Sequence, residues 1–350
     1  MRDPNTILIV KLSSIGDVVH SLPLLEALKA NFPQAKLDWL VEEEASQIIE
    51  GHPDLNQVIV SRRKSWQKRM LKGGSHWSLV IREILRLIRE VRAVKYDLVI
   101  DLQGLLKSGV LTGISRGKRK IGLGGSREGS LLFLNERPVP VDYEQHAIKR
   151  YLKLAEYLDC RPVPWKGSVP FFEADKKSVR MLLGAQGIRE KRPLIAINPM
   201  ARWQSKLWEP KRFAMLADRL RDELSCEIVF TGSSSDREII KDISNMMTGK
   251  CLNLAGQTSL KELACLYTRC KALVSTDTGP MHIGAAMGCR VVALFGPTDP
   301  VRIGPYGEGH KVVSGDIECG PCLKKTCEHM TCMKNIKVER VFEAVKEILE

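Results

Sequence analysis

Over residues 7–101 short, mainly apolar runs alternate with longer segments whose apolar positions recur every three or four residues. The runs Ile7 to Lys11, Lys36 to Val41, Gln57 to Val60 and Leu98 to Asp101 read as strands. Helical patterns lie between them at Asp17 to Asn31 and Leu79 to Val94, with a short helix near Ala45. Strands apolar at every position are those buried on both faces, and strands alternating with helices build βαβ units around a parallel sheet. From Pro138 to Arg161 the chain reads as an exposed turn and then a helix, and Pro162 to Gly167 has the composition of a linker.

After that linker the pattern restarts. Strands are expected at Pro193 to Asn198, Glu227 to Thr231, near Cys251 to Asn253, at Ala272 to Ser275 and at Arg290 to Phe295. Helices are expected at Pro210 to Leu224, Asp236 to Met247, Ser259 to Arg269, Pro280 to Met287 and, last, Lys337 to Glu350. The 350 residues are enough for two cores. The expectation is therefore α/β, two doubly wound parallel-sheet (Rossmann-like) domains facing a cleft. Residues 1–170 form the first and 171–336 the second, with 337–350 as a closing helix that packs back on the N-terminal domain.

Chemistry concentrates where strands end, because open α/β sheets bind ligands at the carboxyl ends of their strands. After the first strand, Lys11-Leu-Ser-Ser-Ile-Gly-Asp17-Val-Val-His20 delivers an acid to a helix start. An acid is the wrong charge for a phosphate cradle and suits a general base, with a plain helix N-cap as the alternative role. In the second half, Ser275-Thr-Asp277-Thr278-Gly279-Pro280-Met-His282 turns from a strand into a helix whose N-terminus can hold phosphate oxygens, or merely caps that helix. Asn198 to Trp208 places Arg202 and Lys206 just past another strand, and Thr231-Gly232-Ser-Ser-Ser-Asp236 places an acid after a third. Cations suit a diphosphate and an acid after a glycine turn suits a ribose or base edge, although Arg202 and Lys206 taken singly also read as solvated charges.

Charge sharpens the picture in the first half. The chain carries a formal net charge of +13, and Val58 to Arg127 alone holds 17 Lys and Arg against four acidic residues. Such a field attracts polyanions: nucleic acid, an anionic membrane or an acidic glycan. Arg62, Arg63, Lys64, Lys68, Arg69, Lys72, Lys107 and Arg127 belong to it. The Leu79 to Val94 helix interleaves Arg82, Arg86, Arg89 and Arg92 with apolar residues, and is read first as a cover for the sheet and second as a leaflet contact. No helix-turn-helix, aromatic RNA-binding motif or zinc-finger pattern accompanies the charge, which argues against a nucleic-acid binder. No Gly-x-Gly-x-x-Gly follows the first strand of either half, which argues against a nicotinamide dehydrogenase.

With 44% hydrophobic and 27% charged residues the chain is an ordinary globular protein, and no apolar run reaches the ~18 residues of a membrane span. The N-terminus runs straight into a strand, so a cytoplasmic protein with reduced cysteines is expected. Six of the ten cysteines sit in apolar or helical contexts and read as small hydrophobes. The other four, Cys319, Cys322, Cys327 and Cys332, could close a tetrahedral zinc or iron–sulfur site, though only the first pair has the usual two-residue spacing. Unpaired thiols or a redox-sensitive disulfide are the alternatives, and His329 among them reads as a loop residue.

The strand-end segments named above, with Asp101-Leu-Gln-Gly104, Lys206-Leu-Trp208 and Phe295-Gly-Pro-Thr-Asp-Pro300, resemble the signature segments of glycosyltransferase family 9, the bacterial lipopolysaccharide heptosyltransferases, and occur in that family's order. Asp38-Trp39-Leu-Val-Glu42-Glu43 and Asp101 to Ser108 are similar to members that add the first heptose to the Kdo sugars of lipid A. The cysteine cluster is more like members that add the second. The resemblance implies a GT-B fold, an ADP-heptose donor in the C-terminal domain and a Kdo-lipid A or inner-core lipopolysaccharide acceptor in the N-terminal one.

Carried over by position, Asp17 is the general base. Lys206 lies at the donor diphosphate, and Asp236, Asp277, Thr278, Gly279, Pro280 and His282 lie at the donor. Ala201 and Arg202 stand where hydroxyl residues are common. Ser13, Ser14, Gly16, Gln103, Arg62, Arg63, Lys64, Lys107 and Arg127 are the acceptor candidates. With no Asp-x-Asp motif, transfer is expected to be metal-independent and cofactor-free, zinc in the cysteine loop being at most structural. Peripheral contact with the cytoplasmic face of the inner membrane is expected, and nucleic acid is not.

Overall fold

The computed structural model describes residues 3–71, 76–184 and 192–350, so Lys72 of the basic half lies outside the described residues. The chain divides into two units, Met1–Gly167 and Ser168–Glu350, three residues earlier than the boundary expected from sequence.

The first unit contains β1 (Thr6–Val10), α1 (Ile15–Asn31), β2 (Lys36–Glu42), β3 (Gln57–Ser61), α2 (Arg63–Leu71), α3 (His76–Ala93), β4 (Leu98–Asp101), α4 (Leu106–Ile114), β5 (Arg119–Gly122) and α5 (Ala147–Tyr157). All five strands are parallel, in the order β3-β2-β1-β4-β5. Ile7, Leu8, Ile9 and Val10 are fully buried, as a central strand covered on both faces must be. Leu8, Val10, Leu40 and Val99 meet Val80, Leu87 and Val91 of α3 on one side of the sheet, while α1 packs against α5. Glu83 ties α2 to α3, accepting from Trp66 Nε1 at 2.6 Å and Arg69 Nη1 at 2.9 Å.

The second unit contains α6 (Glu173–Gly184), β6 (Leu194–Asn198), α7 (Pro210–Leu224), β7 (Glu227–Phe230), α8 (Arg237–Met246), β8 (Leu252–Asn253), α9 (Leu260–Arg269), β9 (Ala272–Thr276), α10 (Gly279–Ala286), β10 (Arg290–Phe295), α11 (Pro300–Ile303), β11 (Lys311–Ser314), α12 (Thr331–Lys334) and α13 (Val338–Leu349). Its parallel sheet runs β11-β10-β9-β6-β7-β8. In both sheets the chain starts in the middle, builds to one side, then returns and builds to the other. The reversal lies between β1 and β4 in the first unit and between β6 and β9 in the second, and such switch points are where doubly wound sheets open a crevice for ligands.

The closing helix, expected from sequence to return to the N-terminal domain, contributes to the core of the second unit. Val338, Val341, Phe342, Val345 and Ile348 of α13 join the core of the second unit with Phe213, Leu216 and Leu220 of α7 and Val292 and Leu294 of β10. Five apolar positions at helical spacing need a wide apolar partner, and α7 with β9, β10 and β11 provides it. The sequence pattern does not mark strands β5 and β11 or helices α2, α4, α6, α11 and α12. The two strands are short edge elements, Arg-Lys-Ile-Gly and Lys-Val-Val-Ser, with too few apolar residues to announce themselves.

Candidate functional site

At the first switch point, Gln103 stitches the two strand ends together, its Oε1 accepting from the backbone N–H of Leu12 at 3.2 Å and Ser13 at 2.9 Å. Gln103 is held in turn by Asp101, whose Oδ1 accepts from the N–H of Gln103 and Gly104 and whose Oδ2 accepts from Ser108 Oγ. Burial pushes the Asp101 carboxyl up even against those donors. Gly104 has φ +63°, and a Cβ there would stand 2.5 Å from Ser126 Oγ, so only glycine fits the turn.

Asp17 is not the N-cap of α1. Ser14 occupies that position and Asp17 is the third helical residue, its Oδ2 accepting from Ser14 N–H at 3.0 Å and Ser14 Oγ at 3.1 Å. The capping role is real but uses one carboxylate oxygen. The other, Oδ1, lies 4.0 Å from Lys11 Nζ and 3.4 Å from the Tyr151 hydroxyl. The Lys11 side chain is 4% exposed and that of Asp17 40%. Burial by itself would lower the Lys11 ammonium, but Asp17, Tyr151 and Asp101 outweigh it and hold it above its ordinary value. Burial pushes the Tyr151 phenol up. The result is a carboxylate presented to solvent over a buried, permanently charged lysine.

The basic cluster beside this edge is more balanced than its sequence suggests. Glu42, buried at the end of β2, takes Lys107 Nζ at 3.2 Å and Arg63 Nε at 3.0 Å, with Lys64 Nζ 4.0 Å away. Arg62 pairs with Glu43 at 3.1 Å, and Lys64 pairs with Glu44. Lys107 also donates to Ser13 Oγ at 2.8 Å, linking the cluster to the turn before Asp17. Four cations thus share three carboxylates. Gly16 is buried in the first turn of α1 and Arg127 is exposed.

At the second switch point, Lys206 after β6 donates to Asp277 Oδ2 after β9 at 2.5 Å. Thr298, past β10, donates to the same oxygen at 2.6 Å. Lys206 lies 4.5 Å over the Trp203 ring, and the side chains of Lys206 and Asp277 are 13% and 4% exposed. Thr278 caps α10, Gly279 and Pro280 open it, and His282 is buried in its first turn. Ala201 is half-buried and Arg202 exposed on the intervening loop. After β7, Asp236 Oδ2 accepts from Ser233 N–H at 2.7 Å and Ser233 Oγ at 2.6 Å, bracing the turn into α8. The structure therefore brings Lys206 and Asp277 into direct contact and leaves Asp236 on the neighbouring strand end.

The four-cysteine loop offers no ready metal site. Cys319 is exposed, Cys322 and Cys327 are half-buried and Cys332 is buried. Among the described residues no three His, Cys, Asp or Glu side chains are placed to hold a metal ion.

Comparison with known proteins gives this geometry its family. Residues 84–333 match the model of Glycosyltransferase family 9 (heptosyltransferase). The chain belongs to that family. Over 343 residues it is 32% identical to lipopolysaccharide heptosyltransferase 1 of Pseudomonas aeruginosa, covering 95% of this chain and 90% of that protein. The structure of E. coli heptosyltransferase WaaC with ADP matches with a TM-score of 0.77 at 27% identity, covering 98% and 99% of the two chains. A family 9 glycosyltransferase from Veillonella parvula matches with a TM-score of 0.85 at 24% identity, covering 99% and 97%. The fold is accordingly GT-B and the protein a glycosyltransferase.

For a family 9 enzyme, three residues at these edges were not singled out from sequence. Tyr151 comes from α5, 134 positions from Asp17, and no local pattern marks it. Glu42 ends a buried strand, where an acid in an apolar run was itself a signal. Thr298 lies in the Phe295 to Pro300 segment, which pointed to the family without indicating which side chain faces Asp277.

Proposed function

We propose that this enzyme transfers heptose from ADP-L-glycero-D-manno-heptose to a Kdo sugar of a Kdo-lipid A acceptor, with inversion, without a metal, at the cytoplasmic face of the inner membrane. Asp17 takes the proton of the acceptor hydroxyl as that oxygen bonds to the anomeric carbon, and the bond from that carbon to the diphosphate breaks with its electron pair leaving on ADP. Lys206 and the N-terminus of α10 stabilise the charge that develops on the departing diphosphate, which is the task a metal would otherwise perform. The acceptor's carboxylates and phosphates are met by the cations around Glu42 and by Arg127.

The observation that carries this reading is the pairing of opposite chemistries at equivalent positions. A carboxylate is presented at one switch point and a cation at the other, on a chain whose relatives are named as lipopolysaccharide heptosyltransferases. The test incubates the protein with ADP-heptose and Kdo-lipid A, in parallel with an acceptor that already bears one heptose, and measures product mass with and without a chelator. One heptose added to the first acceptor, unaffected by chelator, is expected. A donor that is neither consumed nor stabilises the protein to heat overturns the reading, and addition only to the second acceptor reassigns it to second-heptose transfer.

A further inference from the structure

Helix α3 has two apolar stripes, and the sheet uses only one. Val80, Leu87 and Val91 face the core, with Ile84 packed beside them. Trp77, Ile81 and Leu85, spaced at i, i+4 and i+8 and so stacked along one ridge, are 48%, 50% and 45% exposed. Arg82, Arg86 and Arg89 line the adjacent ridge, all exposed. Of the acids of this helix, Glu83 is engaged by Trp66 and Arg69, while Glu90 pairs with Arg86 of the arginine ridge itself. Helix α4 packs beside α3, and its Leu106 and Val110 are exposed, as is Leu132 of the neighbouring turn at 87%.

A monomer that only needed to cover its sheet would make this outer ridge polar. An apolar ridge flanked by arginines is instead the pattern of a helix lying in a lipid–water interface, with its rings and branched side chains among the acyl boundary and its guanidinium groups at headgroup phosphates. We infer that α3 and the adjoining α4 surface dock this protein on an anionic phospholipid bilayer. Charge complementarity selects that occupant over a second copy of the chain. The face itself keeps a positive excess, Arg82, Arg86 and Arg89 against Glu90, and two such faces would repel. The inference deepens the membrane contact in the function proposed above and rests on that part of it alone.

The experiment measures co-sedimentation of the full chain with vesicles of phosphatidylcholine containing phosphatidylglycerol, and with phosphatidylcholine alone, in the absence of donor and acceptor. Binding to the anionic vesicles only, weakening with salt, is expected. Arg82→Glu with Arg89→Glu is expected to reduce that binding at least about tenfold, at about 1 kcal/mol per basic residue near the surface. Trp77→Glu, Ile81→Glu and Leu85→Glu together are expected to abolish it while leaving thermal unfolding and heptose transfer to a deacylated, soluble acceptor unchanged. Wild-type protein that ignores anionic vesicles, or a triple variant that binds them as wild type does, overturns the docking face. A triple variant that converts a wild-type dimer to monomer overturns it too, by showing a second copy on the ridge. Because transfer to the soluble acceptor is read separately, failure of docking and failure of the transferase reading give different results.

Discussion

The two switch points use the same ingredients, one carboxylate and one lysine, with the burial reversed. At the β1/β4 edge the lysine is buried and the carboxylate is 40% exposed; at the β6/β9 edge the carboxylate is 4% exposed and the lysine less buried, at 13%. In the mechanism proposed above the more exposed partner is the one offered to a ligand, and the buried partner holds it in place. A surface acid over a buried lysine suits removal of a proton, while a cation over a buried acid suits capture of an anion. On the proposed reading, one architecture used twice in a chain is given opposite chemistry by exchanging which charge goes inside.

The largest test of that contrast is Asp17→Asn. It keeps an oxygen to accept the Ser14 N–H, so the helix start survives, while turnover is expected to fall about a thousandfold with donor affinity within about twofold. Steady-state rates alongside ADP-heptose titration calorimetry check it, and near-normal turnover would reduce Asp17 to its capping role. At the other edge, Lys206→Ala is expected to weaken ADP binding about tenfold to a hundredfold, the worth of a charge-assisted hydrogen bond, and to cost about 3 kcal/mol of stability by stranding the buried Asp277 carboxylate. Adding Asp277→Asn should return most of the stability and none of the affinity. A double-mutant cycle with urea midpoints and ADP titrations separates the two, and recovery of affinity would contradict the division of labour proposed for this pair.

Smaller effects sharpen the first edge. Tyr151→Phe removes a hydroxyl 3.4 Å from Asp17, a long contact, so kcat is expected to drop only a few-fold with KM for the donor unchanged, as steady-state rates check. Glu83 supplies a contrast, an acid of the basic unit assigned no chemistry. Hydrogen bonds from Arg69 hold its carboxyl at about 2 against an ordinary 4.5. The depressed value means that its contribution to folding is complete above the ordinary value and fades as pH falls toward 2. The gap in urea midpoint between wild type and Glu83→Gln should therefore be widest near neutrality and narrow from about pH 5 toward about pH 3. A gap that persists unchanged would show that the residue acts through packing.

Much of this was legible in the chain. The strands Ile7 to Val10 and Leu194 to Ile197 are apolar throughout because both faces are covered, and helices such as α7 and α13 show their period because only one side is. Asp17, Lys206 and Asp277 could be picked out because each follows such a strand, and strand ends are where doubly wound sheets do chemistry. The basic half was equally plain. Local pattern could not read the edge strands β5 and β11, whose short mixed sequences are strands only because a neighbour pairs with them.

The sequence by itself thus determined two α/β units, the candidate base and the candidate diphosphate lysine, since these depend on periodicity and on position after a strand. Which charges meet was a tertiary matter. Lys206 and Asp277 are 71 positions apart, Tyr151 and Asp17 are 134, and Glu42 gathers Arg63 and Lys107 from two other elements. The tertiary fold also decided that α13 completes the second core and that, among the described residues, the outer ridge of α3 is left half exposed. The reason is the same in each case: a side chain's partners, and hence its burial and charge balance, depend on strand order and helix packing, which periodicity along the chain does not encode.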